Sequence, residues 1–308
     1  MIDPIYSRIE NTPRPTLTAA SGFVCLAAVG LWASMLAGSA LGTSDMALLN
    51  ALYYLPFVGL PLLIYGRARR GLGAALRLNP PPELPLIGVA LLALLSVYAA
   101  SGLSAIWGRG LDALGLSMPG SVPMPQTRRE AALAILTMAA FPAIFEELLF
   151  RGFVLSAWES RGTAFAIGVS AALFALLHSN LYGLPAYLLV GAVSGLVTFA
   201  TDSVYTGIIY HTVYNAAAIL ISYLLSGQEV AEGAVTPAAL LSMALTALFA
   251  LALMALLLTS LLRRAQSAGI EAIPRIRRPL SDRERVALLA AVLLMLASTA
   301  VVQVLANG

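Results

Sequence analysis

No lysine occurs in this chain, cysteine occurs once, histidine twice, and only 11% of the 308 residues are charged. A soluble globular domain draws about a quarter of its residues from the charged set and about half from the apolar one. Here 59% are hydrophobic, which excludes that class. With Cys25 as the one thiol no intramolecular disulfide can form, and its place between Val24 and Leu26 makes it a packing residue. All 18 basic residues are arginine and lie chiefly in short clusters between apolar runs, so the formal charge of +3 marks neither a basic domain nor a nucleic-acid surface. What the chain has in plenty is long apolar sequence, and it reads as one polytopic membrane domain over 1–308.

Nine segments, at 17–41, 46–66, 84–107, 131–157, 162–181, 183–201, 203–226, 235–262 and 286–306, approach or exceed the roughly 20 apolar residues a helix needs to cross a bilayer. The fold class is therefore all-α: a transmembrane helix bundle of eight to nine membrane segments, with room for an intramembrane cavity. The first run shows no clear cleavage site and is expected to remain as an anchor behind a cytoplasmic tail, residues 1–16. Gly183-Leu184-Pro185 separates the fifth and sixth segments so briefly that two spans, or a span and a re-entrant helix, both fit.

Alternating the loops puts 15 arginines on one side and 3, Arg109, Arg128 and Arg129, on the other. Such an excess marks the cytoplasmic side. Trp107 and Trp158 fall at segment ends, where interfacial indoles are expected. The first three segments carry no charged residue in their interiors and the last two carry apolar and small residues apart from Gln303, so these read as scaffold. The arginines from Arg275 to Arg285 read as a topology signal rather than a lipid-headgroup site. Gly191 and Gly195 form a small-xxx-small stripe that suits close internal packing, with dimerisation the alternative, so the oligomeric state stays open.

Against this apolar background, Glu146-Glu147-Leu148-Leu149-Phe150-Arg151 places three ionisable groups inside one run. Each costs about 3 kcal/mol at the bilayer centre unless paired or hydrated. Glu147 and Arg151 are four apart and share a helix face, so they form a structural ion pair. Glu146 points about 100° away round the axis, without a local partner. Both histidines, His178 and His211, also lie in apolar segments. At about 1.5 Å per residue from the arginine-rich ends, Glu146 lies about 18 Å deep, His178 about 24 Å and His211 about 12 Å. Those depths overlap within side-chain reach, in a cavity expected to open toward the cytoplasm.

Asn215 is one turn beyond His211, and Phe174 one turn before His178. A carboxylate, two imidazoles and an amide make a hydrolytic set: base, proton shuttle and donors for a developing oxyanion. Tyr210 and Tyr214 flank this set with no assigned role, and Asp202 at a loop edge reads as a turn cap.

Glu146-Glu147-x-x-x-Arg151, Phe174-x-x-x-His178 and His211-x-x-x-Asn215, in that order on separate spans and with Gly191 and Gly195 between the last two, resemble the CPBP intramembrane proteases. That family includes the type II CAAX prenyl endopeptidases and the bacteriocin-immunity (Abi) proteins. The resemblance places a catalytic core at 129–226. It implies a membrane peptidase in which Glu146, assisted by His178, activates water while His211 and Asn215 stabilise the oxyanion, with Glu147 and Arg151 holding the helix. The expected partners are a membrane-associated protein or peptide substrate and the lipid bilayer.

Glu146, His178 and His211 also match a catalytic zinc set with an open water position. A carboxylate and histidine can activate water without an ion. The cofactor is thus either none or one divalent metal, zinc. Two other functions fit the composition: a proton-coupled transporter, since intramembrane Glu and His also build relays, and a non-catalytic immunity or scaffold protein.

Overall fold

The computed structural model describes residues 14–43, 45–68, 73, 76–81, 86–118, 125–225, 236–273 and 279–307. Arg8, Arg69, Arg70, Arg275, Arg277 and Arg278, and most of the 1–16 tail, lie outside those residues. Among the described residues nine helical segments follow one another: α1 (Leu17–Leu41), α2 (Met46–Arg67), α3 (Leu86–Ala113), α4 (Arg128–Arg161), α5 (Thr163–Leu177), α6 (Leu184–Thr201), α7 (Val204–Leu225), α8 (Pro237–Ser267) and α9 (Asp282–Asn307). The expected all-α bundle is what forms, and eight of these are long and apolar enough to cross a membrane. The remaining helix, α5, has 15 residues. At 1.5 Å per residue it is about 22 Å long, short of a hydrocarbon core of about 30 Å.

Proline shapes the two interrupted helices. It brings no N–H and crowds the preceding turn, so the ladder widens locally. In α2 a π-helical stretch, Leu55–Gly59, holds Pro56, and in α4 another, Ile135–Ala140, precedes Pro142. A second widened stretch of α4, Leu148–Val154, carries Arg151. α5 and α6 pack as a hairpin that the glycine stripe permits. A Cβ on Gly191 would stand 3.0 Å from the Ala171 Cα, and one on Gly195 would stand 3.1 Å from Ile167. The stripe therefore serves internal packing.

Polar contacts stitch each end of the bundle. At the arginine-rich end, Glu159 pairs with Arg14 at 2.9 Å and with Arg77 at 2.5 Å. Asn79 donates to the Asp202 carbonyl, Ser203 donates to the Asn79 carbonyl, and Arg161 pairs with Glu284 at 3.5 Å. Asp202, at φ 48°, ends α6 in the left-handed region, as a turn cap should. At the opposite end the Trp107 indole donates to the Leu181 carbonyl, Tyr182 donates to Asp112, and the Ser117 amide donates to Asn307. The expected alternation of loops is thus reproduced among the described residues.

Trp158 departs from expectation. It is 1% exposed and edge-on to Phe165, because α5 folds back over the end of α4 and the ion cluster around Glu159 closes above it. It is a core residue rather than an interfacial anchor.

Burial changes at one level along the three central helices. Leu149–Glu159 of α4, Val193–Gly195 and Val197–Thr201 of α6, and most of Val204–His211 of α7 are buried. Beyond that level, toward Arg128 of α4, Leu184 of α6 and Leu225 of α7, most residues are half-buried or exposed. On the arginine side α6 meets α4 at Leu148–Val154; beyond that level α6 parts from α4, while α7 stays packed along Ile135–Ala140.

Candidate active site

The two glutamates sit at the boundary between these halves. Glu147, the last residue of the Phe141–Glu147 turns, is fully buried and its carboxylate is fully engaged. Oε2 accepts the Ser194 hydroxyl at 2.6 Å and lies 3.2 Å from Arg151 Nε, while Oε1 is 2.9 Å from His211 Nδ1. The predicted Glu147–Arg151 pair is therefore present, but it is one side of a four-residue cluster. Room for it comes from Gly207, one turn before His211. A Cβ there would stand 2.5 Å from Thr198 Oγ1 and 2.9 Å from Glu147 Oε2.

Arg151 is also fully buried; it donates to the Gly191 carbonyl at 3.1 Å and lies 4.5 Å over the Phe174 ring. A buried charge is tolerated only with such partners, and Glu147 and Arg151 supply one another's.

A carboxylate can only accept, so His211 Nδ1 donates to Glu147 and the opposite nitrogen is turned outward. That Nε2 lies 3.8 Å from Glu146 Oε2. The distance is too long for a direct hydrogen bond and suits a bridging water. Glu146, 12% exposed in its side chain, has its other oxygen bonded by the Tyr54 hydroxyl. Tyr54 is buried, with its ring stacked on Phe145 at 5.5 Å.

His178 caps the end of α5, where Nδ1–H donates to the Phe174 carbonyl at 2.8 Å and leaves Nε2 without a hydrogen bond among the described residues. Its ring stacks on Tyr187 at 4.0 Å. Phe174 meets both imidazoles edge-on, at 4.7 Å from His178 and 5.6 Å from His211. The structure thus brings Glu146, Glu147, Arg151 and His211 into direct contact and leaves His178 one ring away. Asn215, one turn beyond His211, is half-buried and makes no side-chain hydrogen bond among the described residues. Tyr210 is buried and donates to Ser96 at 2.7 Å, which gives it a packing role behind the site.

Glu146, His178 and His211 do not form a metal cradle: among the described residues no three His, Cys, Asp or Glu side chains converge as an ion's ligands would. Tyr54 takes one Glu146 oxygen and Glu147 one His211 nitrogen, which leaves the other oxygen and Nε2 facing each other at 3.8 Å.

Two expectations are corrected by this geometry. The second segment, read as scaffold, supplies Tyr54 to the site from outside the 129–226 core. The expected opening toward the arginine-rich end is not what forms, because the helix halves there are closed by core packing and ion pairs. Ser194 and Gly207 were missed as well. Both left a faint trace: Ser194 lies within the glycine stripe and Gly207 is four residues before His211, on the same face. Nothing near Tyr54 marked it.

Residues 128–217 match the family model described as type II CAAX prenyl endopeptidase Rce1-like, in agreement with the motif resemblance. The matched stretch runs from the start of α4 to just past Asn215 and omits Tyr54. No curated protein and no solved structure matches the chain.

Proposed function

From residues 128–217, which carry the Rce1-like endopeptidase family's pattern within an integral, multi-pass helix bundle, we propose that the protein is an intramembrane endopeptidase acting on a membrane-associated protein or peptide. The observation that carries this reading is the Glu146–His211 pair. One carboxylate oxygen is tied to Tyr54, the other faces His211 Nε2 at 3.8 Å, and the imidazole is aligned from behind by buried Glu147.

A water placed between these groups loses a proton to Glu146 as its oxygen attacks the scissile carbonyl carbon. His178 Nε2, with its other nitrogen committed to the Phe174 carbonyl, assists that transfer. In its imidazolium form His211 carries a second N–H, and with the Asn215 amide it donates to the developing oxyanion. The C–N bond then breaks and the proton held by Glu146 passes to the leaving amine. Glu147, Ser194 and Arg151 fix the His211 ring and do not meet substrate. A carboxylate and an imidazole can carry out this chemistry without an ion.

The reading is tested with purified protein in proteoliposomes and a library of internally quenched peptides. Glu146→Gln and His211→Ala are each expected to lower kcat by about 10²- to 10³-fold or more, the scale of losing one stabilising group. Cleavage by either variant at the parent rate would refute it.

A further inference from the structure

We propose that the substrate reaches Glu146 from the non-cytoplasmic face, so that the protein cuts a peptide segment presented at the outer leaflet. This rests on the peptidase reading above, and it deepens that reading by naming the side and the kind of substrate. The first support is the level at which burial changes. Glu146 is 12% exposed while Glu147 is 0% and His211 3%, so the reacting groups form the floor of the gap where α6 parts from α4. Beneath the floor, toward the arginine-rich end, α4, α6 and α7 are packed without break through Phe150, Phe153, Trp158, Val197 and Tyr210, each at most 1% exposed.

The second support is the closure of that end. Buried Glu159 joins Arg14 before α1 to Arg77 between α2 and α3, and Arg77 continues to Asp202 at 3.8 Å. The Val204 amide donates to the Arg77 carbonyl at 2.9 Å, and the Thr163 amide donates to the Ile273 carbonyl at 3.0 Å. A peptide entering there would have to break buried ion pairs and part three packed helices.

The third support is electrostatic and independent of the packing. Among the described residues Arg14, Arg67, Arg77, Arg161, Arg263, Arg264, Arg283 and Arg285 belong to the sealed side, and Arg109, Arg128 and Arg129 to the other. Arginine excess in short loops is retained in the cytoplasm. The sealed end is therefore cytoplasmic, and the mouth faces out. Its walls just above the floor present Tyr187, Tyr214 and Asn215, all half-buried, with no charged side chain on the α6 and α7 turns between the floor and the rim. Such a mouth takes an extended, uncharged stretch of peptide rather than a basic or acidic one.

The test is sidedness of access, read without reference to catalysis. In a Cys25→Ser background, Asn215→Cys and, farther up the same helix, Ser222→Cys are treated with a membrane-impermeant maleimide in intact cells and in inverted vesicles. Glu130→Cys and Ser160→Cys report the two ends. Labelling of Asn215→Cys or Ser222→Cys from outside, with Ser160→Cys labelled only in inverted vesicles, is the expected result. Labelling of both mouth positions from the cytoplasmic side alone, or from neither side, overturns the proposal. In parallel, quenched peptides are added to right-side-out and inverted vesicles of the parent protein, and cleavage is expected only in the former until detergent is added. Absence of cleavage even in detergent would defeat the peptidase reading while the labelling still decides the side of access.

Discussion

Replacing Tyr54 by phenylalanine removes one oxygen and leaves the ring where it is, stacked on Phe145 at 5.5 Å and edge-on to Phe141 at 5.8 Å. With that oxygen goes the hydroxyl's hydrogen bond to Glu146. A hydrogen bond to a charged group contributes about 1.5–3 kcal/mol. Because Glu146 is 12% exposed, water can replace part of that bond, and the lower end of the range applies. A loss of about 1–2 kcal/mol in the positioning of Glu146 corresponds to a fall in kcat of about 5- to 30-fold at 1.36 kcal/mol per decade. Tyr54 stands behind the carboxylate rather than in the mouth, so KM should change little. The assay is steady-state cleavage of a quenched peptide in proteoliposomes, with Tyr53→Phe as the control. Tyr53 is buried with its ring 4.5 Å from that of Tyr54, and the variant should retain the parent rate. In a Glu146→Gln background, Tyr54→Phe should cost nothing further. An unchanged kcat in Tyr54→Phe, or a rise in KM alone, would refute the view that Tyr54 positions Glu146.

Gly207→Ala puts a methyl group 2.5 Å from Thr198 Oγ1 and 2.9 Å from Glu147 Oε2, so it should displace the Glu147–His211 contact. Overpacking of this kind costs about 1–3 kcal/mol, visible as a lower thermal midpoint in detergent together with lost cleavage. Arg151→Ala strands Glu147 as an unpaired buried carboxylate, at a cost of about 3–5 kcal/mol. It should unfold at markedly lower temperature than Glu146→Gln, and equal midpoints for the two would count against Arg151 as the counter-charge. Dialysis against a chelator should leave the rate unchanged, since the proposed water activation by Glu146 and His178 uses no ion. Inactivation that zinc reverses would show that the side chains rearrange around an ion.

Much of the site was legible in one dimension because its members are helix neighbours. Glu147 and Arg151, Phe174 and His178, and His211 and Asn215 are each four apart, so each pair shares a face whatever the helix packs against. What the spacing could not supply is the partner across the bundle. The ion pair of Glu147 and Arg151 looked self-sufficient, yet Glu147 also holds His211, 64 residues away, and Ser194, 47 away. Trp158 was misplaced for a related reason: the end of an apolar run is an interface only when no other element covers it, and α5 covers this one.

Sequence by itself determined that this chain lives in a membrane, that it folds as a succession of apolar helices, and that three of them carry ionisable groups to one depth. Those properties depend on run length, on the placement of arginine and on a period of 3.6 residues, all of which are local. Only the tertiary structure decided that Tyr54, 92 residues from Glu146, completes the site, and that the helices close on their arginine-rich side. Both depend on which helix faces lie against one another. Apolar faces of similar composition leave that choice to side-chain shape, such as the missing Cβ of Gly207 against Glu147 and those of Gly191 and Gly195 against α5.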